Sequence, residues 1–235
     1  MREQHISLQT HALDFWFARA AVVLIAGLQM MFINHHLVTG PKWLAPSVEL
    51  TMLIPLSIAT AWNQRQIGQA TEAHHWRAVR RLRQATRVAA LVLIVVIQGL
   101  NFEALMSVIR ALLAPKGPNG QALLLDALNI WFTNVVIFAL WFWDIDRGGP
   151  ARRGLARRQI PDFLFPQMMG EGDMDPAWTP GFIDYFYLSF TNATAFSPTD
   201  TMPLSPLAKL LMAVEAMISL LTVGLVAARA VNILS

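Results

Sequence analysis

About five times along the chain the sequence returns to an apolar run of roughly twenty residues, the length that crosses about 30 Å of hydrocarbon at 1.5 Å per residue. The runs cover about residues 18–38, 43–62, 88–113, 121–143 and 206–234. A backbone crossing lipid must satisfy its own N–H and C=O groups, and runs of this length do so as α-helices. Composition agrees: 55% of residues are hydrophobic and 14% charged, against roughly 25% charged in soluble domains. The expected fold is therefore all-α, a polytopic membrane protein with five transmembrane helices. A sixth helix, over about 181–196, is too short and too polar to cross, so it is expected to be re-entrant or interfacial. Pro55 lies inside the second run, where a kink is expected.

The arginines orient these helices. Arg65, Arg77, Arg80, Arg81, Arg83 and Arg87 separate the second run from the third, and Arg147, Arg152, Arg153, Arg157 and Arg158 follow the fourth. The alternate connections hold Lys42 and Lys116. The positive-inside bias then places both basic segments and the N-terminus in the cytoplasm. An odd number of spans puts the C-terminus outside, although Arg229 leans the other way. The chain divides into a first helical hairpin (1–62), a basic cytoplasmic loop (63–87), a second hairpin (88–143), a cytoplasmic linker (144–180) and a final unit (181–235), all within one membrane domain. The N-terminal "MREQHISLQTHALDF" stays polar too long to read as a cleavable signal peptide. There is no cysteine, which excludes disulfides, thiolate metal sites and cysteine nucleophiles. A net charge of +3, held mostly in two loops, suits anionic headgroups of the lipid bilayer and not nucleic acid.

The final unit carries "SFTNATAFSPTDTMP" between the short helix and the last run. As a turn, it would let Asp200 or Ser205 cap the last helix while Pro203 and Pro206 shape its entry. As a pathway, it would offer the side chains of Thr191, Asn192, Thr194, Ser197, Thr199 and Asp200, with Glu215 near mid-bilayer on the next helix.

A short amphipathic helix, a polar loop, Asp, Pro and a long apolar helix, in that order, resemble the C-terminal pore module of potassium channels. Registered on the Asp, "SFTNATAFSPTD" aligns without a gap with the family pattern around "TVGYGD". Ser189 falls on a pore-helix Ser, Thr194 on a filter Thr, Asp200 on the terminal Asp, Pro203 on the following Pro and Lys209 on a basic residue opening the last helix. With its basic segment and C-terminal "VNIL", the whole chain also resembles a family of uncharacterised bacterial membrane proteins, to which no activity attaches. Ser197 and Thr199 replace the filter glycines and Pro198 the aromatic. Those residues resist the backbone geometry that stacks carbonyls around an ion. The resemblance therefore implies side-chain-lined, weakly selective passage of monovalent cations. One loop per chain cannot enclose a pore, so it also implies a homo-oligomer, a tetramer by analogy, in the bacterial inner membrane. Combined with the arginines, it implies an inverted loop entering from the cytoplasm, as in glutamate-receptor channels. The alternative is a non-conducting membrane scaffold or accessory subunit.

Charged groups within the runs each need a partner or water. Arg110 lies about as far before the turn "APKGPNG" as Asp126 lies after it, so an ion pair is expected if their helices are antiparallel neighbours. Asp126, Asn129 and Thr133 form a stripe at helical spacing. A proton-coupled carrier would need Glu49, Glu103, Asp126 and Glu215 to converge. Neither His35–His36 nor His74–His75 is spaced to grip a metal from one helix face, and "GEGDMD" lacks calcium-loop spacing. No nucleophile and base pair, "HExxH" or phosphate-cradling loop appears, so no metal, cofactor or enzymatic activity is expected.

Overall fold

The computed structural model describes residues 2–32, 43–67, 73–114, 120–150, 160–169, 178–195 and 200–234. The helices are α1 (Arg2–Phe32), α2 (Leu44–Ile67), α3 (Ala73–Leu113), α4 (Gly120–Ile145), α5 (Phe182–Ala195) and α6 (Pro206–Leu234). Among the described residues, four are long and apolar enough to cross a membrane, in α1, α3, α4 and α6. The apolar stretch of α2 is shorter, Ala45–Ile58, and Pro55 lies inside it.

Two helices start earlier than their apolar runs. α3 has 41 residues and begins at Ala73, so the second half of the segment expected as a basic loop is helical. The sequence "AHHWRAVRRLRQATR" contains no Gly or Pro, and Ala, Arg, Leu and Gln propagate a helix whatever their polarity. α1 extends back to Arg2 through polar residues for the same reason. Hydropathy therefore marks the part of a helix that suits lipid, and helix propensity marks where the helix ends.

Contacts between named residues give the directions. Arg87 meets Asp144 (3.1 Å) and Asn101 Nδ2 reaches the Ile130 carbonyl (3.3 Å), so α3 and α4 are antiparallel. Gln29 meets Glu49 (3.2 Å) and Arg19 reaches the Ser57 carbonyl (3.4 Å), so α1 and α2 are antiparallel. Phe182 stacks edge-on against Trp143 and Phe190 against Trp131, so α5 climbs back along α4. α4 is the central helix, the only span buried over most of its length among those described. Val136, Ile137, Ala139 and Phe142 share one core cluster with Val22 and Ile25 of α1, Ile97 of α3, Leu188 of α5 and Ala208 of α6.

At the C-terminal end of α4 the chain reverses through Arg147, Gly148 and Gly149, all with positive φ (49°, 78° and 94°). A Cβ on Gly149 would lie 3.0 Å from the Asp144 carbonyl oxygen, and its φ is one that L-residues avoid. Part of the expected cytoplasmic linker then packs on this end. Phe163–Leu164 (β1) pairs antiparallel with Met202–Pro203 (β2), Phe163 opposite Pro203. Leu204 N adds a bond to the Asp162 carbonyl (2.8 Å). Phe163, fully buried, fits against Phe142 and Tyr185. The segment leading into α6 is thereby tied to the end of α4 at which α5 begins. α5 rises from that end to the level of Trp131, and by β2 the chain has come back to it.

Candidate functional site

The residues singled out in the final unit meet at the junction of α4, α5 and α6. α6 carries Glu215, Ser219 and Thr222 at helical spacing, all fully buried, which makes one polar face on an otherwise apolar helix. α5 turns Ser189 and Asn192, three residues apart, toward it. Ser189 Oγ hydrogen-bonds the Val135 carbonyl of α4 (2.7 Å) and the Glu215 carboxyl. Asn192 Nδ2 donates to Glu215 Oε2 (2.7 Å) and to the Met212 carbonyl (2.9 Å). One turn further along α6, Ser219 Oγ accepts from Asn134 Nδ2 of α4 (3.1 Å). Thr222 donates back to the Ile218 carbonyl (2.8 Å) within its own helix. Three helices are thus joined through the Ser189 hydroxyl and the Glu215 carboxyl together, in surroundings where an unmet polar group is costly.

The end of α4 holds a second polar group. Asp146, fully buried, accepts from Tyr185 Oη (2.6 Å) and from the Asp162 backbone N–H (2.8 Å), and its carboxylate lies 3.5 Å from Arg147 Nε. Asp162 in turn accepts the Arg147 backbone N–H (3.1 Å). The N-terminus of α5 is held from two sides. Asp184 Oδ2 accepts from Gly181 N (2.7 Å), and Asp14 Oδ1 on α1 accepts from Phe182 N (3.3 Å), which satisfies donors that a helix start leaves open. At the start of α6 it is Ser205 that caps, accepting from Ala208 N (3.2 Å).

The candidate pathway residues therefore divide. Asn192 and Glu215 are buried among the helices of their own chain. Thr194 and Asp200 are exposed and Thr191 is half-buried. The hydroxyls of Thr191 and Thr194 donate to carbonyls four residues back, Tyr187 (2.8 Å) and Phe190 (2.9 Å). Ser197 and Thr199 lie outside the described residues. Arg110, expected opposite Asp126, has contacts within its own helix α3. Arg110 reaches Ser107 Oγ (3.1 Å) and lies 3.9 Å from Glu103, and its side chain is 67% exposed whereas Asp126 is 2% exposed. Equal distance from a turn puts two residues at one height; the rotation of each helix decides whether they face each other. Glu49 bonds Gln29, and Glu215 bonds α5, so these two acids belong to separate clusters. Among the described residues no group of three His, Asp or Glu is placed to hold a metal ion.

Sequence reasoning passed over Asn134, Asp146, Tyr185 and Ser219. The spacing of Ser219 and Thr222 from Glu215 was a readable signal for a polar face. Nothing local pairs Tyr185 with Asp146, which lie 39 residues apart in the chain. No protein-family model, curated protein or solved structure matches this chain.

Proposed function

We propose that this chain is a multi-pass protein of the bacterial inner membrane with five spans, α2 being the fifth. Its N-terminus and arginine-rich segments lie in the cytoplasm and α5 is a re-entrant helix. The α5–α6 unit is a channel-like module that passes monovalent cations with weak selectivity at the centre of a homo-oligomer, a tetramer by analogy with potassium channels. One observation carries this reading. α5 starts beside Trp143, climbs to Trp131, and the chain is again at the starting end by Met202–Pro203, so the unit enters and leaves on one side. The outer face of α5, with Ile183, Tyr187 and Thr194, is left exposed by its own chain. Copies packed on that face would enclose the segment that follows α5 at the centre of the oligomer. Passing ions would then meet Thr194, Asp200 and the hydroxyls at 197 and 199, while Asn192 and Glu215 frame the module.

Flux of alkali cations from liposomes carrying the purified protein tests this. The expected result is a leak that Asp200→Ala and Thr194→Val change and that discriminates little between sodium and potassium. Absence of flux in every monovalent salt overturns it. A second reading, a non-conducting scaffold or accessory subunit, draws on the inward placement of Ser189, Asn192 and Glu215, which serve cohesion. A protein that stays monomeric in detergent and in nanodiscs supports that reading.

A further inference from the structure

A second polar centre lies away from the α5–α6 unit, between α1, α2 and α4. Gln29 Nε2 donates to Glu49 Oε1 (3.2 Å), which directs the other branch of the amide, Oε1, away from Glu49. Gln29 Oε1 and Glu49 Oε2 are buried oxygens with no hydrogen-bond partner among the described residues. The same is true of Asn129 Oδ1 and Thr133 Oγ1 on α4. All four residues are more than nine-tenths buried: Gln29 is 5%, Glu49 0%, Asn129 6% and Thr133 1% exposed.

Helix spacing puts these residues at one level of the bundle. α1 and α4 touch where Phe15 packs on Trp143, at 5.1 Å between ring centroids. Gln29 is fourteen residues beyond Phe15, and Asn129 is fourteen residues before Trp143. Fourteen residues are close to four turns, so on each helix the two positions share a face, and both pairs are separated by about 21 Å along the axis. Gln29 and Asn129 are therefore level on the facing sides of α1 and α4. Thr133 is one turn from Asn129 on that face, and Glu49 is bonded to Gln29 from α2. On the α3 side, Asn101 is occupied with the Ile130 carbonyl.

Thr133 differs from three other helical threonines. Thr191, Thr194 and Thr222 each donate to the carbonyl four residues back. The Thr133 hydroxyl makes no such bond. Four oxygens with no donor supplied, one of them on a carboxyl, call for a positive guest. Among the described residues no arginine or lysine takes that place. The arginines that pair with acids engage Asp144, Glu103 and Asp146, and Arg19 is turned to the Ser57 carbonyl, ten residues from Gln29 and so about 15 Å along α1. The other carboxyl on this face of α4 is Asp126, about one turn beyond Asn129.

We infer that Gln29, Glu49, Asn129 and Thr133 form an intramembrane binding site for one dehydrated alkali-metal cation. Two amide carbonyls, a hydroxyl and a carboxylate are hard oxygen donors of the kind that bind such ions. A single carboxylate balances one positive charge, which suits a monovalent ion better than calcium or magnesium. The bound ion also supplies the countercharge that a buried Glu49 carboxylate otherwise lacks. The site is formed without α5 or the loop after it, so it stands whether or not the oligomer conducts.

The test is thermal unfolding of the purified full-length protein in detergent, followed by tryptophan fluorescence, with sodium, lithium, potassium or choline chloride at constant ionic strength. A ligand that binds the folded state raises the melting temperature with its concentration. The expected result is a saturable rise with at least one alkali cation and none with choline. Thr133→Val, which replaces the hydroxyl by a methyl, raises the half-saturating concentration at least about tenfold, and Glu49→Gln abolishes the response. Glu215→Gln and Asp200→Ala keep it. Equal melting in all four salts overturns the inference, as does a response unchanged in Thr133→Val. Stabilisation that follows pH and ignores the identity of the cation assigns the cluster to a proton and overturns it too.

Discussion

Ser189 Oγ on α5 lies within hydrogen-bonding reach of the Glu215 carboxyl on α6 and 2.7 Å from the Val135 carbonyl on α4, so one hydroxyl joins three helices. Replacing Glu215 by Ala leaves the Asn192 amide without one of its two acceptors and Ser189 without its α6 partner. The expected loss is about 2 to 4 kcal/mol for Glu215→Ala, and about 1 kcal/mol for Ser189→Ala, since single hydrogen bonds between membrane helices are modest. Melting in detergent gives the order. The double variant should lose less than the sum of the singles, because both remove the same contact.

Tyr185 and Asp146 tie the start of α5 to the turn after α4 through a buried 2.6 Å bond. Tyr185→Phe deletes one donor and should cost about 1 to 2 kcal/mol. Asp146→Ala also strands the Asp162 N–H and uncouples Arg147, so its cost should be about 3 kcal/mol or more. Hydrogen exchange should then rise at Phe163–Leu164 before it rises in the middle of α4. Equal protection of the strand pair in both variants and the parent would contradict this account.

At Gly181 an added Cβ would lie 2.6 Å from Asp14 Oδ1, closer than real contacts allow. Gly181→Ala should displace Asp14 from the Phe182 N–H and weaken the docking of α1 on α5. Asp14→Ala removes the obstruction together with that cap, which is typically worth about 1 kcal/mol. Alanine at 181 should therefore be tolerated better in an Asp14→Ala background than in the parent. Additive losses would show that the two positions are independent.

Arg110 and Arg87 should respond differently to truncation. Arg110 is largely exposed and its acid, at 3.9 Å, lies on the same helix. Arg110→Ala should change stability by no more than about 0.5 kcal/mol. Arg87 makes two bonds across to α4, to the Asp144 carboxylate and to its carbonyl, both 3.1 Å, and Asp144 is buried. Arg87→Ala should therefore lower the melting temperature clearly and in the same salt. A larger effect from Arg110 would point back to a partnership with Asp126.

Because the chain has no cysteine, single ones report position cleanly. Leu113 and Met202 are both exposed, Leu113 at the end of α3 remote from Arg87 and Met202 in the strand beside the end of α4. In inverted and right-side-out vesicles, a membrane-impermeant thiol reagent should modify Met202→Cys from the cytoplasmic side and Leu113→Cys from the opposite one. Modification of both from one side would remove the five-span arrangement and the cytoplasmic entry of α5.

Several elements were legible because they depend on local sequence. The last helix, 206–234, and the short one, 182–195, fall within a residue or so of their expected limits, since Pro206 opens one and the polar run after Phe196 closes the other. The early starts of α1 and α3 leave no mark in hydropathy, because helix propensity and not apolarity sets them. Ser205 as the cap of α6 was one of two candidates. Asn192 and Glu215 read from the sequence as lining a pathway, and in the fold Asn192 donates to Glu215.

Counting apolar residues marks which stretches suit lipid, and counting arginines biases their direction, because both depend on summed transfer energies that need no neighbour. Which way a helix turns about its own axis is another matter. Glu215 faces Ser189 and Asn192, Asn134 faces Ser219, and Arg110 reaches Ser107 and Glu103 on its own helix. Each of these follows from side chains on separate helices competing for the same buried space and the same few hydrogen-bond partners, so it was decided only when the helices packed.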